Sequence, residues 1–260
     1  MLYGRGARAP ATGDPVVLIH GFTQSSATWE PVVRRLAAHH PVIALDAPGH
    51  GSWATVEADL QAGAAMIGDA GGRGAYVGYS MGGRFALHLA LARPALVERL
   101  VLVSATAGID DPEQRAARRR ADEALAERIE RHGVAEFVGW WLGRPMFATL
   151  PAGGAALDSR LVNTSAGLAS SLRRAGTGTQ EPLWDAVGGL AMPVLVVAGE
   201  RDEPYLVVAR RLAEAIGANA TVVVVPGAGH SVPLEAPEAF TAAVEAFLAR
   251  PAEPGDPEPE

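Results

Sequence analysis

Short runs rich in Val, Ile and Leu recur at Val16 to Ile19, Val42 to Leu45, Ala75 to Val77, Leu100 to Val103, Val194 to Ala198 and Thr221 to Val225, with longer helical patterns between them. Each run is continuously apolar over a few residues, which suits a strand buried on both faces better than one with a wet side. Parallel strands cannot be joined by tight turns and need crossover connections, usually helices. The alternation therefore predicts an α/β fold, with a mostly parallel, doubly wound sheet.

The strand pattern stops between Asp111 and Gln180. Asp111-Pro112-Glu113 has an Asp cap followed by Pro at the first helical position, so a long charged helix is expected from there. This segment reads as a helical cap, 111–180, inserted between two parts of the core, 1–110 and 181–250. The end of the chain, 251–260, is acidic and Pro-rich and is expected to be disordered. No internal repeat is evident.

Composition narrows the partners. The chain has 260 residues and a formal charge of −7, with 48% hydrophobic residues and no cysteine. A chain of this length and apolar content can bury a sizeable core. The absence of cysteine removes disulfides, thiolate nucleophiles and thiolate metal sites. All 22 basic residues are Arg, which weakens each one as an individual signal. A basic nucleic-acid surface is not indicated. The apolar stretches, such as Leu190 to Gly199, fall short of the roughly 18 residues a membrane span needs. The residues Met1 to Pro15 lack the apolar core of a secretion signal, so the expected location is the cytoplasm. The segment from Asp111 to Gln180 holds ten Arg against eight acidic residues, an excess of cation suited to an anionic ligand.

Gly78-Tyr79-Ser80-Met81-Gly82 follows one expected strand and precedes the apolar-periodic segment Phe85, Leu87, Leu89, Leu91. In that context G-x-S-x-G is a strand-to-helix elbow that exposes the serine hydroxyl beside a helix N-terminus. A serine needs a histidine to take its proton and a carboxylate to orient that histidine. Asp202, in Gly199-Glu200-Arg201-Asp202, and His230, in Gly227-Ala228-Gly229-His230, lie beyond later strands, where doubly wound sheets place their sites. Glu200 is the substitute carboxylate. The turn His20-Gly21-Phe22 can supply one oxyanion donor, Phe22 N–H, with Met81 N–H as the second; such donors favour a carbonyl substrate. The loop containing His50 reads as structural.

The segments HGF, DAPGHG, GYSMGG, GERD and GAGH resemble the α/β-hydrolase superfamily across roughly residues 15 to 250. That superfamily hosts many reactions, so the fold is better specified than the chemistry. Three further elements narrow it. Arg84 stands four residues after Ser80 in SMGGR, the cap helix opens with Glu113-Gln114-Arg115-Ala116-Ala117-Arg118, and Pro145-Met146-Phe147-Ala148-Thr149-Leu150 follows Trp140-Trp141. Together they resemble the 2-succinyl-6-hydroxy-2,4-cyclohexadiene-1-carboxylate synthases of menaquinone biosynthesis. Pro204 and Pro233 depart from that family's usual pattern, standing where a cation and a His are common.

The resemblance implies a lyase that eliminates pyruvate from a polycarboxylate, with Ser80 made basic by His230 and Asp202. It implies that Arg84, Arg118 and Arg160 bind carboxylates, and that Tyr79, Trp141 and His20 take part in substrate binding. Guanidinium groups suit that role because they clamp carboxylates in a planar, bidentate way. Neither a metal nor an organic cofactor is expected, and the protein is expected to be a monomer or small homo-oligomer. Two alternatives remain at this point: a serine hydrolase of an acidic ester, thioester or carbon–carbon substrate, and a non-catalytic receptor on the same fold.

Overall fold

The computed structural model describes residues 15–151 and 153–250. The expectations for the segment before Pro15 and for the acidic segment 251–260 lie outside the described residues. The strands are β1 (Val16–Ile19), β2 (Val42–Leu45), β3 (Gly74–Tyr79), β4 (Val97–Val103), β5 (Val194–Gly199) and β6 (Ala220–Val225). They form one sheet in the order β2-β1-β3-β4-β5-β6, and every pairing is parallel. Strands β3 and β4 are longer than the apolar runs predicted. Glu98 and Arg99 interrupt the hydrophobic pattern at the start of β4, although both lie in the strand and Arg99 is in register with Ala75.

The helices are α1 (Glu30–Leu36), α2 (Leu60–Gly71), α3 (Met81–Ala92), α4 (Pro112–Leu142), α5 (Leu157–Leu161), α6 (Ser165–Ala175), α7 (Glu203–Ile216), α8 (Val232–Glu235) and α9 (Pro237–Leu248). They cover both faces of the sheet. Val17 and Ile19 of β1 pack in a core with Leu60 and Ile67 of α2, Phe85 and Leu89 of α3, and Leu212 of α7. Val16 and Leu18 point to the opposite core, with Val33 and Leu36 of α1 and Phe240 and Val244 of α9. The period-two alternation along β1 thus fills two cores from one strand, which explains why the runs carry no polar face.

Helices α4, α5 and α6 lie between β4 and β5 in the chain. Asp111 caps α4: its Oδ1 accepts the N–H groups of Glu113 and Gln114 at 2.9 and 2.8 Å, and Pro112 occupies the position that needs no N–H acceptor. Gly133 breaks the regular backbone of α4 with φ 77° and ψ 168°, so its two halves run in different directions. The chain leaves the sheet and returns at neighbouring strands, stitched by Leu183 N–H to Ala107 O at 2.8 Å and Trp184 Nε1–H to Gly108 O at 3.1 Å. Among the described residues, no helix is long and apolar enough to cross a membrane.

Candidate active site

The serine sits at a constrained turn of the backbone. Ser80 joins β3 to α3 with φ 51° and ψ −108°, a region that L-residues rarely enter. The flanking glycines make this possible. A Cβ on Gly82 would stand 2.2 Å from Ile19 O, and one on Gly78 would stand 2.4 Å from Gly82 O. Any larger residue would force main chain apart.

Asp202 begins α7 beyond β5, and His230 lies in the loop beyond β6. Asp202 Oδ2 accepts from His230 Nδ1 at 2.7 Å, and Ser80 Oγ lies 3.2 Å from His230 Nε2. With Nδ1–H committed to the carboxylate, Nε2 is left to accept the serine proton. The histidine loop is itself held: the Glu235 carboxylate accepts Gly229 N–H at 2.6 Å and Ser231 N–H at 2.8 Å, bracketing His230. The Tyr205 ring packs 4.5 Å from the imidazole. Glu200 is engaged elsewhere, accepting Gly227 N–H at 2.8 Å.

Phe22 N–H has no protein acceptor among the described residues, and Met81 N–H, at the first position of α3, has no intrahelical one. Both residues line, with Ser80 and Asp202, a cavity of about 560 Å³ between the sheet and the inserted helices. Trp141, Leu125, Met146 and Leu172 give this cavity an apolar wall, while Arg84, Arg118 and Arg144 give it three cations. Trp141 meets Phe22 edge-on at 5.6 Å and stacks on Phe137 at 5.8 Å.

The three arginines differ in how they are held. Arg84 is only 6% exposed and donates to Ala175 O at 2.7 Å. It forms no ion pair with a carboxylate among the described residues, and burial, reinforced by the nearby Arg118, pulls its pKa down from 12.5 to about 10. Arg118 Nε donates to Asp122 Oδ1 at 2.7 Å, and the other oxygen of this buried carboxylate accepts Gly178 N–H at 3.0 Å. Asp122 thereby fixes the stem of Arg118 through a single nitrogen. Arg144 lies over the Trp140 and Trp141 rings, 5.2 and 5.5 Å from their centroids, a cation–π arrangement that steers it without neutralising it. By contrast, Arg173 is spanned by Glu123 and Glu130 on the outer surface.

Three residues expected to bind substrate do not line this cavity. His20 is fully buried, with Nδ1 donating to Gly21 O at 2.9 Å and Nε2 accepting Ala47 N–H at 3.0 Å, so both ring nitrogens serve the backbone. Tyr79, the last residue of β3, turns into the opposite core and bonds Ser231 Oγ at 2.9 Å. Arg160 is 1% exposed and reaches Thr23 Oγ1 and Ala155 O. Arg144 and Tyr205 were missed by sequence reasoning. An Arg in an all-Arg cation set carries little signal, although its place between Trp141 and Pro145 was a usable one.

The Alpha/beta hydrolase family matches residues 16–243 of the chain. The 2-succinyl-6-hydroxy-2,4-cyclohexadiene-1-carboxylate synthase of Serratia proteamaculans (strain 568) is 31% identical over 91% of this chain and 93% of its own. A Bacillus subtilis (strain 168) protein provisionally given the same name is 31% identical, covering 95% of this chain and 94% of that one. The solved structure of MenH from S. aureus superposes with a TM-score of 0.87 at 28% identity, over 95% of this chain and 97% of that one. The six-stranded parallel sheet, the serine elbow and these likenesses agree: the chain is an enzyme of the α/β-hydrolase superfamily and belongs, within it, to the 2-succinyl-6-hydroxy-2,4-cyclohexadiene-1-carboxylate synthase family of lyases.

Proposed function

We propose that this protein eliminates pyruvate from 2-succinyl-5-enolpyruvyl-6-hydroxy-3-cyclohexene-1-carboxylate, leaving 2-succinyl-6-hydroxy-2,4-cyclohexadiene-1-carboxylate. The observation that carries the reading is the company Ser80 keeps. A serine bonded to a His–Asp pair opens into a cavity with three arginines, one of them buried without a direct carboxylate ion pair among the described residues. A buried unpaired cation is costly unless a ligand supplies the anion. The proposed substrate carries a carboxylate on the succinyl group, one on the ring and one on the enolpyruvyl group.

In this reaction Ser80 Oγ removes the ring proton next to the succinyl carbonyl while its own proton passes to His230 Nε2. The developing enolate oxygen is held by Phe22 and Met81 N–H groups, which are aimed before the charge appears. The C–O bond to the enolpyruvyl group then breaks, the diene forms, and the leaving group takes up the proton and becomes pyruvate. Asp202 keeps Nδ1 protonated throughout and stabilises the imidazolium. Arg84 and Arg118 bind carboxylates, and Trp141 covers the ring.

The test uses enzymatically generated substrate and follows pyruvate release by wild type and by Ser80→Ala. Fast release that falls by about 10³-fold or more in the variant, with product binding retained, is expected. Equal rates would remove Ser80 from the reaction. Product mass separates elimination from hydrolysis, since elimination incorporates no water; an added water would make the protein a hydrolase.

A further inference from the structure

The turn that carries Phe22 is held from the inserted helices. Its next residue, Thr23, is fully buried and has φ 68°, a conformation that a β-branched side chain resists. Every polar group of Thr23 is engaged. Its N–H donates to His50 Nε2 at 3.3 Å, its carbonyl accepts from Asn163 Nδ2 at 2.8 Å, and its hydroxyl oxygen accepts from Arg160 Nη1.

Asn163 does more than meet Thr23. Its amide nitrogen also donates to Gln24 O at 3.2 Å, and its Oδ1 accepts Gly51 N–H at 2.8 Å. One side chain thus ties the Phe22 turn to the His50 loop. Asn163 and Arg160 are both buried, at 6% and 1% exposure, and neither lines the cavity. The bonds of Asn163 all go to protein, which is the mark of a support; Arg160 gives Nε and Nη1 to Ala155 and Thr23, while its Nη2 has no partner among the described residues.

We infer that Asn163, seconded by Arg160, is a positioning residue that clamps Thr23 in its left-handed conformation and so holds Phe22 N–H where the developing oxyanion needs it. This rests on the reading of Phe22 as an oxyanion donor. Release of the clamp lets Thr23 relax toward negative φ, which swings the adjoining peptide planes and carries Phe22 with them. The inserted helices then contribute to catalysis as well as to substrate binding: their docking sets the geometry of a donor on the far side of the serine.

The experiment compares full-length wild type with Asn163→Ala, Asn163→Asp and Arg160→Gln. Asn163→Asp keeps an acceptor for Gly51 N–H, removes the donors and sets a carboxylate oxygen against the Thr23 and Gln24 carbonyls. The probe is a fluorophosphonate, whose phosphorus is attacked by Ser80 Oγ. A P–O bond forms, the P–F bond breaks, fluoride leaves and the hydroxyl proton goes to His230. The phosphoryl oxygen occupies the oxyanion position, so the rate reports the donors without requiring the natural substrate. The rate constant, read by intact mass, should fall at least tenfold in both Asn163 variants and less in Arg160→Gln. Melting temperatures should fall by several degrees with the variants still folded at the assay temperature, since the buried Asn163 side chain makes four hydrogen bonds, and pyruvate release should lose kcat at least tenfold while KM moves less than threefold.

Phosphonylation within twofold of wild type in any folded Asn163 variant overturns the inference, and Arg160→Gln decides in the same way if neither Asn163 variant folds. If wild type releases no pyruvate yet phosphonylation still falls in the variants, the substrate assignment fails and the clamp stands.

Discussion

Replacing Arg84 by Met should make the unliganded protein more stable and the enzyme far worse. Arg84 is buried without a direct ion pair among the described residues, and its pKa falls from 12.5 to about 10. At neutral pH the guanidinium is protonated in both folded and unfolded chains, so the depressed folded value is a standing cost. At 1.36 kcal/mol per unit it comes to about 3 kcal/mol. Met retains much of the apolar stem and removes the charge. It also leaves Ala175 O without its 2.7 Å donor, which takes back about 1 kcal/mol. The net gain is about 2 kcal/mol, or roughly 4–8 °C in melting temperature for a chain of this size. Calorimetry with and without the diene product checks both halves of the expectation. Wild type should gain melting temperature on ligand binding, the variant should start higher and gain much less, and its kcat/KM should fall by about 100-fold. An Arg84→Met protein that melts below wild type would mean that Arg84 is a strut between α3 and α6, and the case for an anion beside it would collapse.

Three other outcomes are expected. Gly82→Ala should cost about 2–3 kcal/mol and most of the activity, because the new Cβ would meet Ile19 O at 2.2 Å and push β1 and the Phe22 turn away from Ser80; a variant with wild-type melting and turnover would contradict this. Arg144→Ala should raise KM several-fold with kcat nearly kept, since the guanidinium sits over two indoles at the cavity wall, and a steady-state titration at two salt concentrations would expose an unchanged KM. Acid should loosen the fold through His50, which is buried neutral with its pKa pulled from 6.5 to about 3, chiefly by burial and then by its neighbour His20. Below pH 6.5 the unfolded chain takes up a proton that folded His50 refuses, so stability falls with pH across the window from about 6.5 to 3. The loss from this residue at pH 5 is about 2 kcal/mol. Urea unfolding of wild type and His50→Gln at pH 7.5 and 5.0 tests it, with parallel losses in the two proteins ruling out His50 as the source.

The framework of this fold was legible because strand burial on both faces leaves continuous apolar runs. β1 and β2 coincide with the runs read from sequence, β3, β5 and β6 extend them by one to three residues, and β4 extends its run through Glu98 and Arg99, whose side chains break the pattern. Ser80, Asp202 and His230 were legible because each follows a strand, so topology brings together what sequence separates by up to 150 residues. What lines the cavity was harder to read. Arg160 and Arg118 look alike in sequence, yet one is locked behind the Phe22 turn and the other stands in the cavity, a difference decided by packing between α5 and the loops below it. Arg144 was overlooked for the opposite reason: its role comes from the Trp140 and Trp141 rings beneath it, and only its place beside them in the sequence hinted at that. The break at Gly133 had no local signal beyond the glycine itself.

The stitch between Ala107 and Leu183 has an evolutionary consequence. Because β4 and β5 are neighbours, the segment between them enters and leaves through a doorway barely wider than one hydrogen-bonded rung. Such a segment can be exchanged, lengthened or rebuilt without rewiring the sheet, so natural variation or grafting can diversify the chamber over a fixed serine. The transplant carries one obligation. An incoming module must bring its own hold on Thr23, or the new chamber will open onto an elbow whose donor has drifted out of aim.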